Sequence, residues 1–174
     1  MDIVNELEKN QTVLLLVEGV RYNDVTVDIA KKLSNKSVCY VTLNKTYDHL
    51  KEHFKNHKVK LSNIVFVDAI SMTIKKMPSQ TENCYFVSSP GALTELAIVV
   101  DKFLRHDFDY LIFDSLTNLM IYQKKAQVEK FISNIINKIR GSKTKAVFYA
   151  LEVDEHKALI EEAGMFVDKV IKVD

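Results

Sequence analysis

At 174 residues the chain has the size of one domain with its own core and is short for two, so residues 1–174 are expected to form a single domain. Hydrophobic residues at 47% and charged residues at 27% are ordinary for a globular protein and exclude a disordered or fibrous chain. A formal net charge of +1 supplies no field that would demand nucleic acid or an anionic membrane as a partner.

The start, Met1-Asp2-Ile3-Val4-Asn5-Glu6, lacks a basic region followed by an apolar stretch, and no run approaches the roughly 18 apolar residues of a membrane span. A cytoplasmic protein without a membrane anchor is expected. Cys39 and Cys84 each lie in a strand-like apolar run, which reads as two buried, reduced thiols in a cytosolic protein.

In chain order, Thr12 to Glu18 is the first continuous apolar run, the kind of strand that is covered on both faces of a parallel sheet. A helix is expected to start near Asn23 or Asp24, whose side chains could cap it. Ser37 to Leu43 is the second strand, followed by a short polar helix marked by Tyr47, Leu50 and Phe54. Ile64 to Asp68 is the third strand. A surface loop from about Thr73 to Asn83, with Pro78 inside it, leads to a fourth strand at Cys84 to Ser88. Leu93, Leu96, Ala97, Val100, Phe103 and Leu104 mark a helix before the fifth strand, Tyr110 to Asp114. Val128, Phe131, Ile132, Ile135, Ile136 and Ile139 make the i, i+3, i+4, i+7 stripe of a helix with one buried face, stopped at Gly141. Ala146 to Leu151 is a sixth strand, and the alternating run from Met165 to Val173 reads as an edge strand, open to antiparallel pairing. Strands alternating with helices predict an α/β fold: a doubly wound, mainly parallel sheet with helices on both faces.

In such sheets ligands bind outside the carboxyl ends of the strands. Here those ends carry Glu18, Asn44, Lys45, Asp68, Ser88, Asp114 and Glu152. The first strand runs into Glu18-Gly19-Val20-Arg21-Tyr22-Asn23-Asp24-Val25-Thr26, which has the position and length of a Walker A loop. The fifth runs through Ile112-Phe113-Asp114-Ser115-Leu116-Thr117, as a Walker B segment does.

On these motifs the chain resembles the RecA/KaiC-like P-loop ATPases from about Val13 onward, and Val41 to Tyr47 with Ser89-Pro90 is similar to small archaeal members of that superfamily. The resemblance implies their fold, and a nucleotide site at Gly19, Asp24, Thr26, Lys45, Asp114 and Ser115. The sequence departs from the pattern where the chemistry lies. A working loop ends in Gly, Lys and Ser or Thr, the lysine reaching the terminal phosphates; this one ends in Asp24, Val25 and Thr26. A carboxylate about 6 Å from a phosphate charge repels it by roughly 2 to 3 kcal/mol at an effective dielectric near 20, about a hundredfold in affinity. Asn44 and Lys45 stand where KaiC-like enzymes carry catalytic acids.

Three roles follow. The favoured one is a non-catalytic, pseudo-ATPase domain that regulates or scaffolds through a protein partner or self-association, with no cofactor. The second is a sensor that binds nucleotide or phosphate, such as ATP or ADP with magnesium, through Lys45, Thr26 and Asp114 without hydrolysis. The third is an enzyme of altered chemistry on strand-end carboxylates such as Asp68 and Glu152, although a carboxylate just past a strand is more often a helix cap. Asp114 and Thr26 are expected to hydrogen-bond each other or water. Neither Arg21 nor Tyr22 receives a contact from sequence alone. His49, His53 and His57 fall at helical spacing, but no carboxylate or cysteine signature accompanies them and no metal is expected. The lysines around them form a solvated face with few aromatics for stacking, so nucleic acid is not an expected partner.

Overall fold

The computed structural model describes residues 2–173. Seven strands form one sheet: β1 (Thr12–Val17), β2 (Val38–Thr42), β3 (Ile64–Asp68), β4 (Cys84–Phe86), β5 (Tyr110–Asp114), β6 (Lys145–Leu151) and β7 (Lys169–Val173). Their order is β4-β3-β2-β5-β6-β1-β7, and every neighbouring pair is parallel. The helices are α1 (Ile3–Lys9), α2 (Tyr22–Lys32), α3 (Tyr47–Asn56), α4 (Ser71–Ile74), α5 (Leu93–Leu104), α6 (Leu116–Tyr122), α7 (Lys125–Arg140) and α8 (Lys157–Phe166).

The apolar runs that predict strands do so because both of their faces are covered. Every residue of β2 and of β5 is buried. One core layer lies between the sheet and α5, α6, α7 and α8, with Leu96, Leu119, Ile132, Ile136 and Leu159 among its members. The other lies under α1, α2 and α3 and includes Leu7, Ile29, Leu50 and Phe54. Cys39 belongs to the first layer and Cys84 to the second. The two thiols therefore sit on opposite faces of the sheet, both free, and burial pushes each of them well above the ordinary thiol range. Among the described residues no helix is long and apolar enough to cross a membrane.

The carboxyl-terminal segment differs from the expectation drawn from its alternation. Met165 and Phe166 end a helix, α8, and the strand begins only at Lys169. Leu159, Ala163 and Val167 are buried, an i, i+4, i+8 row that packs toward α7, and a few residues of it mimic a strand's alternation. Because α8 carries the chain back along the sheet from the end of β6, β7 enters beside β1 in the same direction, Leu15 opposite Ile171. The edge strand is parallel, as a helical crossover requires, and not antiparallel.

Ile136, 1% exposed on α7, should lose about 2–5 kcal/mol on substitution by alanine through cavity formation. Ile98→Ala, at a position 65% exposed, should stay within about 0.5 kcal/mol. Urea unfolding of the two variants beside wild type checks the pair.

Candidate functional site

The carboxyl ends of β1, β2 and β5 converge on one buried carboxylate. Asp114 closes β5 and is 1% exposed. Strand alternation points it to the same side as Ile112, into the layer under α2. Tyr40, two residues before the end of β2, donates its hydroxyl to Asp114 Oδ2 at 2.6 Å. Asn44 donates its amide to Oδ1 at 3.0 Å, and the Tyr22 hydroxyl from α2 donates to the same oxygen. The backbone carbonyl of Asp114 accepts from Leu43 N at 2.7 Å, which fixes the β2 and β5 ends to each other. The peptide bond between Asp114 and Ser115 is cis.

Tyr22 reaches this position because of how the chain leaves β1. Gly19–Arg21 form one turn of 3-10 helix and α2 follows without a gap, Tyr22 having helical dihedrals of φ −56° and ψ −49°. The Arg21 amide is already bonded to the Glu18 carbonyl at 3.0 Å. A phosphate-binding loop holds its amides open around the anion; here those of Arg21 and Tyr22 are bonded within the helical turn. Gly19 has no positive φ, and a Cβ added to it would meet nothing within 4 Å, so the turn does not need a glycine. The expected cap at Asn23 or Asp24 is absent: α2 begins upstream of both, with no side-chain cap.

Lys45 follows Asn44 and is half-buried. Its ammonium donates to Asn23 Oδ1 at the start of α2. Partial burial lowers its pKa and the nearby Asp114 charge offsets part of that effect. Thr42 bonds the Lys45 carbonyl at 2.8 Å and orients this corner. Burial pushes the Asp114 carboxyl above the usual carboxylate range, and Tyr22, Tyr40, Lys45 and Asn44 oppose the rise.

Tyr149 on β6 completes the surroundings. It is fully buried, its ring meets Tyr22 edge-on at 6.1 Å between centroids, and its hydroxyl has no hydrogen-bond partner among the described residues. Burial first, and the charge of Asp114 second, push Tyr22, Tyr40 and Tyr149 well above the ordinary phenol range.

The remaining sequence candidates lie outside this cluster. Thr26 is buried and donates to the Asn23 carbonyl at 2.9 Å within its own helix; the expected bond between Thr26 and Asp114 is not made. Asp24 is exposed and lines an open groove of about 520 Å³ with Ile3, Arg21, Asp28 and Lys32. Ser115 is buried and bonds Thr117 and Asn118. Asp68 accepts the amides of Tyr47, Ile70 and Ser71 at 2.7–2.8 Å and the Ser71 hydroxyl. It is a cap that joins α3 and α4 to β3. Glu152 is exposed and paired with Lys172 at 2.8 Å. The His53 and His57 rings lie 4.5 Å apart between centroids, tilted by 53°, and among the described residues no group of three metal-ligating side chains forms.

The tyrosines are what sequence reasoning missed. Tyr40 reads as one more residue of an apolar strand. Tyr22 carries a weak signal, an aromatic inside a loop that in a working phosphate site is small and polar.

No family model and no curated protein sequence matches the chain. Among solved structures it is similar to a KaiC-like protein from the hyperthermophilic archaeon Pyrococcus horikoshii OT3, with a TM-score of 0.66 at 12% identity over 94% of this chain and 71% of that one. The fold is KaiC-like, of the RecA type. The likeness at that identity is one of fold alone.

The raised tyrosines set an alkaline stability limit. A group whose pKa is higher in the folded state holds its proton there while the unfolded chain loses its own, so stability is full below about pH 10 and falls as pH rises beyond it. Phenolate absorbance should therefore show Tyr22, Tyr40 and Tyr149 silent in the native state, appearing only together with loss of the far-UV circular dichroism signal. Tyr22→Phe should keep the fold, lose about 1.5–3 kcal/mol with the bond to the carboxylate, and leave two silent.

Proposed function

We propose that this chain is a non-catalytic domain of KaiC-like fold that regulates or scaffolds through its protein surfaces. The observation that carries the reading is the internal solvation of Asp114. In P-loop enzymes a strand-end aspartate and the loop threonine flank a magnesium ion. Here three donors from Tyr22, Tyr40 and Asn44 converge on the Asp114 carboxylate, and Thr26 is turned into its own helix. The residues present do not fit a nucleotide with its metal. The Arg21 and Tyr22 amides are spent on a helical turn, the Tyr22 side chain stands against Asp114, and Lys45 is held by Asn23.

Calorimetric titration of wild type, Lys45→Ala and Asp114→Asn with ATP or ADP and magnesium tests the reading. The expected result is no binding heat up to about 1 mM ligand, the limit of roughly 4 kcal/mol of binding free energy. Wild-type binding that Lys45→Ala abolishes would overturn it in favour of a nucleotide sensor.

A further inference from the structure

Several large apolar side chains are exposed on the segments that follow the carboxyl ends of the strands. Val20 after β1 is 88% exposed, Ile121 and Tyr122 at the end of α6 are 71% and 43% exposed, Ile74 at the end of α4 is 69% and Val153 after β6 is 42%. All five stand on segments that leave the carboxyl ends of strands. Of the other large exposed apolar residues, Ile98, Met165 and Val170 lie on the body of α5, the far end of α8 and the edge strand. A concentration of apolar side chains on one end marks a contact surface.

The charges on that end are divided across the sheet. Glu18, Glu152, Asp154 and Glu155 are exposed beyond β1 and β6, countered by Arg21 and by Lys172, which pairs with Glu152. Beyond β2 and β3 stand Lys45, Lys75 and Lys76, with Asp48 at 4.0 Å from Lys75. The strand order places β5 in the middle, with β2 and β3 on one side and β6 and β1 on the other.

We infer that the carboxyl end of the sheet docks a second copy of this chain, end to end, about a two-fold axis along the sheet normal at β5. This rests on the non-catalytic reading and gives its protein contact a partner and a surface. The rotation brings the β1 end opposite the partner's β3 end and the β6 end opposite the partner's β2 end. Val20 then meets Ile74 from the partner copy and Glu18 meets Lys75 and Lys76, each contact occurring twice, as an isologous interface requires. Side-by-side packing of the sheet ends in the same orientation would set like charges together. Seven strands at about 4.8 Å spacing span roughly 30 Å, and with a helix layer on each side that end can supply the roughly 800 Å² per partner of a standard interface.

Sedimentation equilibrium of the full chain tests the proposal. Wild type should run at twice the 20.0 kDa chain mass at about 100 µM, within reach of weak association. Val20→Asp should yield monomer, Ile98→Asp should not, and circular dichroism on both checks folding. Glu18→Lys and Lys76→Glu should each weaken the dimer about tenfold, since each change strikes two equivalent contacts, and the double reversal should restore it. A monomeric wild type, or a dimer that Val20→Asp leaves intact, overturns the interface. A monomer that still gives no heat with nucleotide sinks this interface and leaves the non-catalytic reading standing; a dimer that binds nucleotide does the reverse.

Discussion

A carboxylate buried at the centre of a parallel sheet must be solvated by the protein, because an unpaired buried charge costs several kcal/mol. Asp114 is that group here, and the surrounding layout follows from satisfying it. Its donors come from β2, from the turn after β2 and from α2, so one side chain ties together the three segments that would otherwise part to admit a ligand. The helical turn at Gly19–Arg21 is the backbone's half of the same arrangement. By winding immediately after β1 it presents Tyr22 inward, and the phenol supplies the donor that the carboxylate lacks.

Each part of that cluster also limits the others. Tyr22 and Tyr40 oppose the rise in the Asp114 pKa, while the carboxylate charge and burial raise theirs. A phenol that keeps its proton remains a donor at any ordinary pH, which suits a permanent internal bond better than an exchangeable one. Lys45 stands at the rim of the same region and contributes charge from a distance, its ammonium engaged by Asn23.

The architecture was legible in the sequence because parallel strands covered on both faces are continuous apolar runs, and the first six appear as such, while the edge strand β7 alternates. The order of Asp114 after β5 and Lys45 after β2 was legible for the same reason, since motif positions inherit the register of the strands that carry them. The reading failed where a local pattern served two structures, as at Met165 and Phe166, where the end of a helical row imitates alternation. It also failed where partners are far apart in the chain. Tyr22 and Asp114 are separated by 92 positions, and nothing in the local neighbourhood of either says that they touch. Thr26 shows the opposite error, a motif position whose hydroxyl found a nearer acceptor in its own helix.

The placement of β1 bears on how the molecule is made. The first strand of the chain lies between the last two, β6 and β7, whereas β2, β3, β4 and β5 pair among themselves from a continuous stretch. During synthesis that four-strand half can assemble while β1 waits with both edges unpaired, for its partners lie more than 130 residues downstream. Such long-range closure is slow and leaves an apolar strand exposed to mispairing in the meantime. The sheet is thus closed last at β1, whose two neighbours are made long after the strand itself.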